Sequence, residues 1–410
     1  MKSKPALATV FLAVLIDLMG FGIVLPLLPF YASLFKASPV AIGLLYSIYS
    51  FAQLVFSPIW GGLSDRVGRR PIMLMSTLGA SFAYLLFGLA HTLPLLFLSR
   101  LIAGIMGGNI STAQAYVADV TPPEKRAQGM GLIGAAFGIG FVLGPAIASV
   151  LIQPAFLNFF KIPVEHEYAI PGFFAAALSL TSFLLVLFKL PETVKSPVRE
   201  TEGLFKSSVF TKGFWVSMTE PGAAGMKFLF PILAGCVFLF SFAQSSLYSS
   251  FPLFCESELG LSAGKVGMLY AYLGLIAILI QGGLIRGLVK KFGEEKLFLA
   301  GSFLLVLGFA AVPLAGSIQF LVMALGLLGL GGGLTGPTLN SLISKEADPR
   351  RVGQAMGASQ GMAALGRVIG PTWGGLLYGV LVWLPFALTA LILSVTVLIG
   401  NKLQRIKSPR

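Results

Sequence analysis

One loop between two apolar runs concentrates side chains that can form ion pairs. The stretch GGLSDRVGRRPIM holds one acid and three arginines. A glycine allows a turn with a positive φ angle, and a proline suits the first turn of the helix that follows. We expect the acid at a helix N-terminus, where a carboxylate is favoured, and the arginines beside other acids. Asp119 is the leading candidate to pair with Arg69 or Arg70, and the residues of this ionic loop are Gly61, Asp65, Arg66, Gly68, Arg69, Arg70 and Asp119. The alternative is a basic anchoring loop.

Two further charges, Asp17 and Arg100, lie inside apolar runs. A charge at the centre of a membrane costs about 2.5–3.5 kcal/mol, so it usually faces a cavity and has a function. At 1.5 Å per residue the two lie roughly 16 and 20 Å from the same surface, which allows a pair. Separating this pair would change the proton affinity of the carboxylate. The alternative is a static pair that joins two helices.

The elements that carry these residues are long apolar segments. Of the 410 residues, 56% are hydrophobic and only 11% are charged, whereas a soluble protein has about 25% charged residues. A helix that crosses the bilayer needs about 20 apolar residues. We predict an all-α membrane protein with twelve spans, near 6–34, 41–60, 71–91, 94–118, 128–152, 171–190, 228–254, 262–286, 297–316, 318–343, 353–379 and 382–402.

The positive charges are distributed unevenly between the two sides of these spans. Most of the 29 Lys and Arg fall on the side of the two termini. Lys36, Lys161 and Lys265 fall on the other side, and Arg100 and Arg367 fall inside spans. This asymmetry follows the positive-inside rule and predicts cytoplasmic termini. The net charge of +13 therefore reflects membrane topology, and we expect no nucleic-acid partner.

A long polar interval and an internal repeat divide the chain into two halves. We predict six-helix bundles at 1–190 and 228–410, with a cytoplasmic linker at 191–227. At a shift of 226 residues, Gln128, Met130, Gly131, Gly140, Gly144 and Pro145 fall on Gln354, Met356, Gly357, Gly366, Gly370 and Pro371. The contact that we expect for Asp65 is with the start of the eleventh span. Two similar halves are typical of secondary transporters.

These residues resemble the major facilitator superfamily, and within it the twelve-span drug:proton antiporters of the tetracycline-efflux-like branch. The segments that carry the resemblance are GGLSDRVGRRP from Gly61, RLIAGIMGG from Arg100, GIGFVLGP from Gly138 and LPET from Leu190. The resemblance implies the two-bundle fold of that family and transport by alternating access. It also implies that the ionic loop is a cytoplasmic gate, closed in one state and broken in the other.

The resemblance also assigns an antiporter motif to the fifth span, with Gly140, Gly144 and Pro145. The glycines equally suit close helix packing. The motif usually continues with two more glycines, where this chain has Ala148 and Ser149. Tetracycline exporters carry acids in the third and ninth spans. This chain has none there, which argues against tetracycline as the substrate.

Polar residues within the spans are the candidates for substrate binding. We select Asn109, Gln114, Gln244, Asn340 and Arg367. Arg367 suits an anionic group of a substrate, or else it forms structural hydrogen bonds with helix carbonyls. Gln53 is a further candidate to line a cavity. The rings that could stack on a flat substrate are those of Tyr31, Tyr46, Tyr49, Phe240 and Phe251.

Together these patterns predict a proton-coupled transporter that exports small amphipathic compounds. We expect a small-molecule substrate, protons and the lipid bilayer as partners, and a monomer. The sequence shows no catalytic constellation, so we expect no enzyme, no cofactor and no metal. The alternatives are a proton-coupled uptake symporter for a metabolite, and a membrane receptor or scaffold that transports nothing.

Overall fold

The protein is built from long helices in the computed structural model, which describes residues 3–122, 126–193, 229–346 and 352–407. The first half contains α1 Ser3–Leu34, α2 Pro39–Val67, α3 Arg69–Gly88, α4 Leu93–Met106, α5 Asn109–Val120, α6 Arg126–Leu151, α7 Pro154–Phe159 and α8 Ala169–Lys189. The second half contains α9 Leu229–Leu259, α10 Ala263–Leu279, α11 Ile285–Phe292, α12 Glu294–Ala311, α13 Ile318–Glu346, α14 Val352–Val380 and α15 Leu384–Lys407.

The predicted spans all correspond to helices or to pairs of consecutive helices. Within the described residues, eleven helical segments are long and apolar enough to cross a membrane. Helix α14 has 29 residues but is not among them, because its first half is rich in small and polar side chains. The described part of the chain contains no strand. The all-α fold class is confirmed.

The fourth span is interrupted, which the sequence analysis did not predict. Helices α4 and α5 are separated at Gly107 and Gly108. The break frees backbone carbonyl groups, which need hydrogen-bond donors inside a membrane. The carbonyls of residues 105, 106 and 107 accept hydrogen bonds from Trp60 (2.6 Å), Ser76 and Gln53 (3.0 Å), respectively. Gln53 therefore stabilises the break, and the expectation that it lines a cavity stays a prediction.

The eighth span also departs from a regular helix. Helices α10 and α11 are joined by a π-helical turn at Ile280–Leu284. Such a turn contains one extra residue and shifts the faces of the helix that follows it. Hydropathy is insensitive to this change, because the turn is as apolar as its neighbours.

The contacts between Cα atoms divide the chain into two compact units. The first unit contains Met1–Ala37, Ile48–Phe205 and Ser262–Ala271. The second contains Ser38–Ser47, Lys206–Leu261 and Tyr272–Arg410. Helices α2 and α10 thus each have their first turns in one unit and the remainder in the other. The six-plus-six division remains a prediction, and residues 194–228 of the predicted linker region lie outside the described residues.

In the first unit, α1 packs against α6 and α8, and α3 packs against α4 and α8. The glycines of the antiporter motif allow the close approach of α6 to α1. A Cβ atom on Gly144 would lie 2.7 Å from the backbone of Gly22, and one on Gly140 would lie 2.6 Å from the Cβ of Leu18. Because these atoms belong to two helices, a larger residue would push the helices apart.

The second unit repeats these contacts. Helix α9 packs against α14, and α12 packs against α13 and α15. A Cβ atom on Gly366 would lie 2.7 Å from the carbonyl oxygen of Phe238. Gly366 is the counterpart of Gly140 in the internal repeat, so the repeat seen in the sequence is also a repeat in helix packing.

Candidate functional site

The predicted gate contains a dense ionic cluster around the first residue of α3. Gly68 precedes this helix and has a φ angle of 107°. The guanidinium of Arg69, a residue only 8% exposed, contacts Asp65 at 2.5 Å and Asp119 at 3.1 Å. It also donates to the hydroxyl of Ser64 at 2.6 Å. The expected contact between Arg69 and Asp119 is therefore present.

A further acid, Glu192, completes this cluster and was missed in the sequence analysis. The backbone N–H groups of Arg69 and Arg70 each donate to a different carboxylate oxygen of Glu192, both at 3.0 Å. These are two of the N–H groups that a helix start leaves without intrahelical partners. The neighbouring Thr193 donates its hydroxyl to Asp119 at 3.1 Å. We call Asp65, Arg69, Asp119, Glu192 and Thr193 the Arg69 cluster.

The other residues of the predicted gate have different contacts. Arg70 does not pair with Asp119, although the sequence suggested this acid as a possible partner. Its guanidinium donates to the carbonyl of Leu187 at 2.7 Å. Leu187 lies in the last turn of α8, where a cation is favoured by the helix dipole. Within the described residues, Arg66 forms no ion pair. The carbonyl of Gly61 accepts a hydrogen bond from Ser64 at 2.7 Å.

The expected contact between Asp65 and the start of the eleventh span is not described. Residues 347–351, which precede α14, lie outside the described residues. The partner that the structure gives to Asp65 is Arg69, four residues further along the chain.

The two intramembrane charges of the first unit lie close to one aromatic side chain. Tyr84 of α3 interacts electrostatically with Asp17, with Arg100 and with Tyr49. Arg100 is 2% exposed, and its guanidinium carbon lies 5.7 Å from the ring centroid of Tyr84 and 5.2 Å from that of Phe87. Such distances permit cation–π attraction. The structure therefore places Tyr84 beside both charges, which the sequence alone did not indicate.

The close helix contact at the antiporter motif lies next to Asp17. Gly140 of α6 meets Leu18, the residue that follows Asp17 on α1. Pro145 contributes on the same side, since a Cβ atom on Gly22 would lie 3.1 Å from its Cδ. The motif thus fixes the position of the helix that carries the carboxylate.

The second unit contains a cavity of about 320 Å³. Its lining includes Gln244 of α9 and Asn340 of α13, two of the residues selected for substrate binding. It also includes Gln281 of the π-helical turn, which was missed. Gln281 lies four and eight residues after Ala277 and Leu273, which also line the cavity, so all three share one helix face. An amide at this spacing in an apolar run was the signal available in the sequence.

The remaining candidates for substrate binding are not brought together with these two. Arg367 interacts electrostatically with Tyr248 and is not among the residues that line the cavity. Gln114 is exposed on α5 of the first unit. The side chain of Asn109 lies outside the described residues.

Comparison with known proteins identifies the family. The model of the Major Facilitator Superfamily matches residues 10–371 and 284–400. Tetracycline resistance protein, class E, from Escherichia coli is 33% identical over 374 residues, covering 89% of this chain and 86% of the relative. The class C protein from Escherichia coli is 30% identical over 393 residues, covering 92% and 93%. Multidrug resistance protein 2 from Bacillus subtilis (strain 168) is 26% identical over 404 residues, covering 96% and 95%.

Solved structures agree on the fold. The human organic anion transporter MFSD10 (TETRAN) superposes with a TM-score of 0.71 at 24% identity and covers 97% of this chain and 99% of its own. A POT family transporter in complex with 5-aminolevulinic acid gives a TM-score of 0.78 at 15% identity, with coverage of 98% and 96%. These relatives and neighbours are transporters rather than enzymes. The expected family is thus confirmed: the chain is a multi-pass membrane transporter of small molecules and belongs to the major facilitator superfamily.

Proposed function

We propose that this transporter exports small amphipathic compounds in exchange for protons across a bacterial cytoplasmic membrane, as a monomer with both termini in the cytoplasm. The observation that carries the proposal is the electrostatic interaction of Tyr84 with both Asp17 and Arg100. A carboxylate at this depth is expensive and is retained where it has a function. Relatives named for resistance to tetracycline and to multiple drugs support export as the direction.

In the coupling step, the side chains of Asp17, Arg100 and Tyr84 have different roles. Asp17 binds and releases the transported proton, and Arg100 supplies a positive charge close to the ring of Tyr84. The hydroxyl of Tyr84 lies close enough to both to respond to the charge of each. A movement of α1 relative to α3 and α4 would change these interactions and hence the proton affinity of Asp17. The antiporter motif transmits such a movement, because Gly140 and Gly144 hold α1 against α6.

The Arg69 cluster provides the second element of the cycle, a gate that is intact in one state and broken in the other. Its ion pairs are partly exposed: the side chains of Asp65 and Asp119 are 50% and 34% exposed. Exposed ion pairs are individually worth about 1 kcal/mol or less. A set of weak contacts can therefore form and break during transport without a large barrier.

Asp17→Asn tests the proposal, because asparagine is of similar size and is always uncharged at this position. In proteoliposomes, export of fluorescent amphipathic compounds driven by a pH gradient should fall to background. Their binding and their exchange down a concentration gradient should persist, since neither requires proton release. Glu258→Gln, at the exposed end of α9, is the matched control and should retain all three activities.

Other results would overturn the assignment. Proton-driven export that survives Asp17→Asn would remove this carboxylate from coupling. Unfolding of Asp17→Asn, with rescue by Arg100→Gln, would show a static pair. Accumulation instead of export under the same gradient would identify an uptake symporter. A wild-type protein that binds these compounds but moves none would be a receptor.

A further inference from the structure

The cavity of the second unit has the size of a small-molecule site. It lies between α9, α10 with the π-helical turn, and α13, and its volume is about 320 Å³. Ligand pockets usually measure about 300–1,000 Å³, whereas one water molecule occupies about 30 Å³ in the liquid. The space therefore suits one compact ring system and is far larger than a single hydration site.

Three amide side chains from three different segments converge on this cavity: Gln244, Gln281 and Asn340. Each offers a carbonyl acceptor and two N–H donors. In the part of the chain that the structure describes, none of the three amides has a hydrogen-bond partner on the protein. Polar groups left without partners in an apolar setting are costly. A ligand with donors and acceptors along one edge would satisfy them.

The charge of the lining restricts the ligand further. Among the described residues, the lining includes no Asp, Glu, Lys, Arg or His; besides the amides it consists of glycine, proline, leucine, alanine and phenylalanine. A charged group moved from water into such surroundings loses hydration without gaining a counterion. The amides can replace the hydrogen bonds of a neutral group but cannot compensate a full charge.

One wall of the cavity favours an aromatic ligand. Gly332 and Gly336 lie on one face of α13, and Gln244 and the ring of Phe240 pack close to them. A Cβ atom on Gly332 would come within 3.0 Å of the amide nitrogen of Gln244, and one on Gly336 would lie 3.7 Å from the ring of Phe240. The two glycines therefore let Gln244 and Phe240 approach α13, and the ring of Phe240 gives the cavity an aromatic wall, on which aromatic rings pack well.

We infer that this cavity is a subsite for an uncharged planar aromatic compound with hydrogen-bond donors and acceptors on one edge, held by Gln244, Gln281 and Asn340 against Phe240. This assignment rests on the proposed export function for its place in the cycle. Arg367, outside the lining, makes no contribution to this subsite.

The test uses three probes that share one ring and differ in charge. Equilibrium binding of 2-naphthamide, 2-naphthoate and a 2-naphthyl trimethylammonium ion is measured on the purified full-length protein in nanodiscs, without a pH gradient. We expect the neutral amide to bind at least tenfold more tightly than the anion and the cation. Equal binding of a charged probe, or no binding of 2-naphthamide up to its solubility limit, would overturn the inference.

Variants then locate the site. Gln244→Leu, Gln281→Leu and Asn340→Leu each remove an amide at similar volume and should weaken 2-naphthamide binding about fivefold, the effect of one neutral hydrogen bond. Gln319→Leu, an exposed change on the same helix as Asn340, is the control and should bind like the wild type. Gly332→Ala should also weaken binding, by displacing the amide of Gln244, and thermal unfolding checks that each variant is folded.

The pattern of results separates this inference from the proposed function. Unchanged affinity in all four cavity variants, or an equal loss in Gln319→Leu, would contradict the subsite even if proton-driven export is intact. Conversely, binding that depends on the three amides while the wild type exports nothing would retain the subsite and reject the export function.

Discussion

Helix α3 of the first unit and helix α12 of the second begin in the same way, directly after a glycine with a positive φ angle. The angle is 107° at Gly68 and 79° at Gly293. The first residue of each helix then pairs with the end of the following span: Arg69 with Asp119 at 3.1 Å, and Glu294 with Lys345 at 2.5 Å. Lys345 lies 226 residues after Asp119, the shift of the internal repeat. The two pairs are equivalent in position and opposite in polarity.

The reversal of charge explains why only the first unit needs a cluster. A helix N-terminus carries a partial positive charge, which favours an acid and disfavours a cation. Glu294 and Glu295 in the first turn of α12 therefore suit their position. Arg69 does not, and two acids beside it together with Glu192, which accepts from the backbone, compensate for this. The first unit therefore depends on a remote segment, the residues after α8, to stabilise the start of α3.

The largest effect should come from reversing the pair in the first unit. Arg69→Glu with Asp119→Arg would place an acid between Asp65 and Glu192, with no cation on the helix side. Because the new glutamate loses the contacts of Arg69 with Asp65 and Ser64 and faces two like charges instead, we expect the free energy of unfolding to fall by about 2–3 kcal/mol. Titration with SDS, followed by circular dichroism, measures it.

The same reversal in the second unit is the control. Glu294→Lys with Lys345→Glu restores an ion pair and loses the hydrogen bond from Ser341 and the favourable interaction with the helix dipole, about 0.3–1 kcal/mol. Equal losses in the two double variants would contradict the comparison.

A smaller effect should follow from removing Glu192. Glu192→Ala leaves the N–H groups of Arg69 and Arg70 without this acceptor, and we expect a loss of about 2 kcal/mol, as for a strong helix cap. Glu294→Ala removes the pair with the exposed Lys345 and the hydrogen bond from Ser341 at 3.0 Å, together worth about 1–1.5 kcal/mol. The same SDS titration ranks the two variants. A larger loss for Glu294→Ala would show that the second unit is the more dependent one.

The smallest effect should be the difference in stability between alanine variants of Gly68 and Gly293. Alanine at either position adopts an unfavourable positive φ angle, a penalty of about 1–3 kcal/mol. At Gly68 the added Cβ would also overlap the carboxylate of Glu192, whereas at Gly293 the nearest atom belongs to Glu295 at 3.6 Å. We expect Gly68→Ala to lose about 1 kcal/mol more stability than Gly293→Ala. In the background of Glu192→Ala this difference should disappear, and its persistence would rule out the overlap as its cause.

The sequence predicted what depends on composition and short spacing. Hydropathy located the spans, and the repeat anticipated that Gly140 and Gly366 would occupy equivalent packing positions. The pair Arg69–Asp119 could be predicted because both residues flank apolar runs. The contact of Glu192 with Arg69 could not be predicted, because the two residues lie 123 positions apart in the chain. Only the folded unit brings the end of α8 to the start of α3.

Other features were missed for different physical reasons. The break at Gly107 and the π-helical turn at Ile280–Leu284 change hydrogen bonding without changing hydropathy. Tyr84 lies beside Asp17 and Arg100 through the packing of α3, for which no local pattern exists. Gln281 could have been found from its helical spacing.

The first turns of α2 belong to the second unit, and this has a consequence for synthesis of the chain. The hydroxyl of Ser47, at the end of the α2 segment in the second unit, contacts that of Thr372 at 2.8 Å, 325 residues away. A ribosome that adds about 5–20 residues per second needs on the order of half a minute to make the interval between them. Throughout that time the first turns of α2 lack the contact with Thr372. During synthesis, insertion machinery and lipids can therefore contact the surface of these turns that is buried in the finished protein.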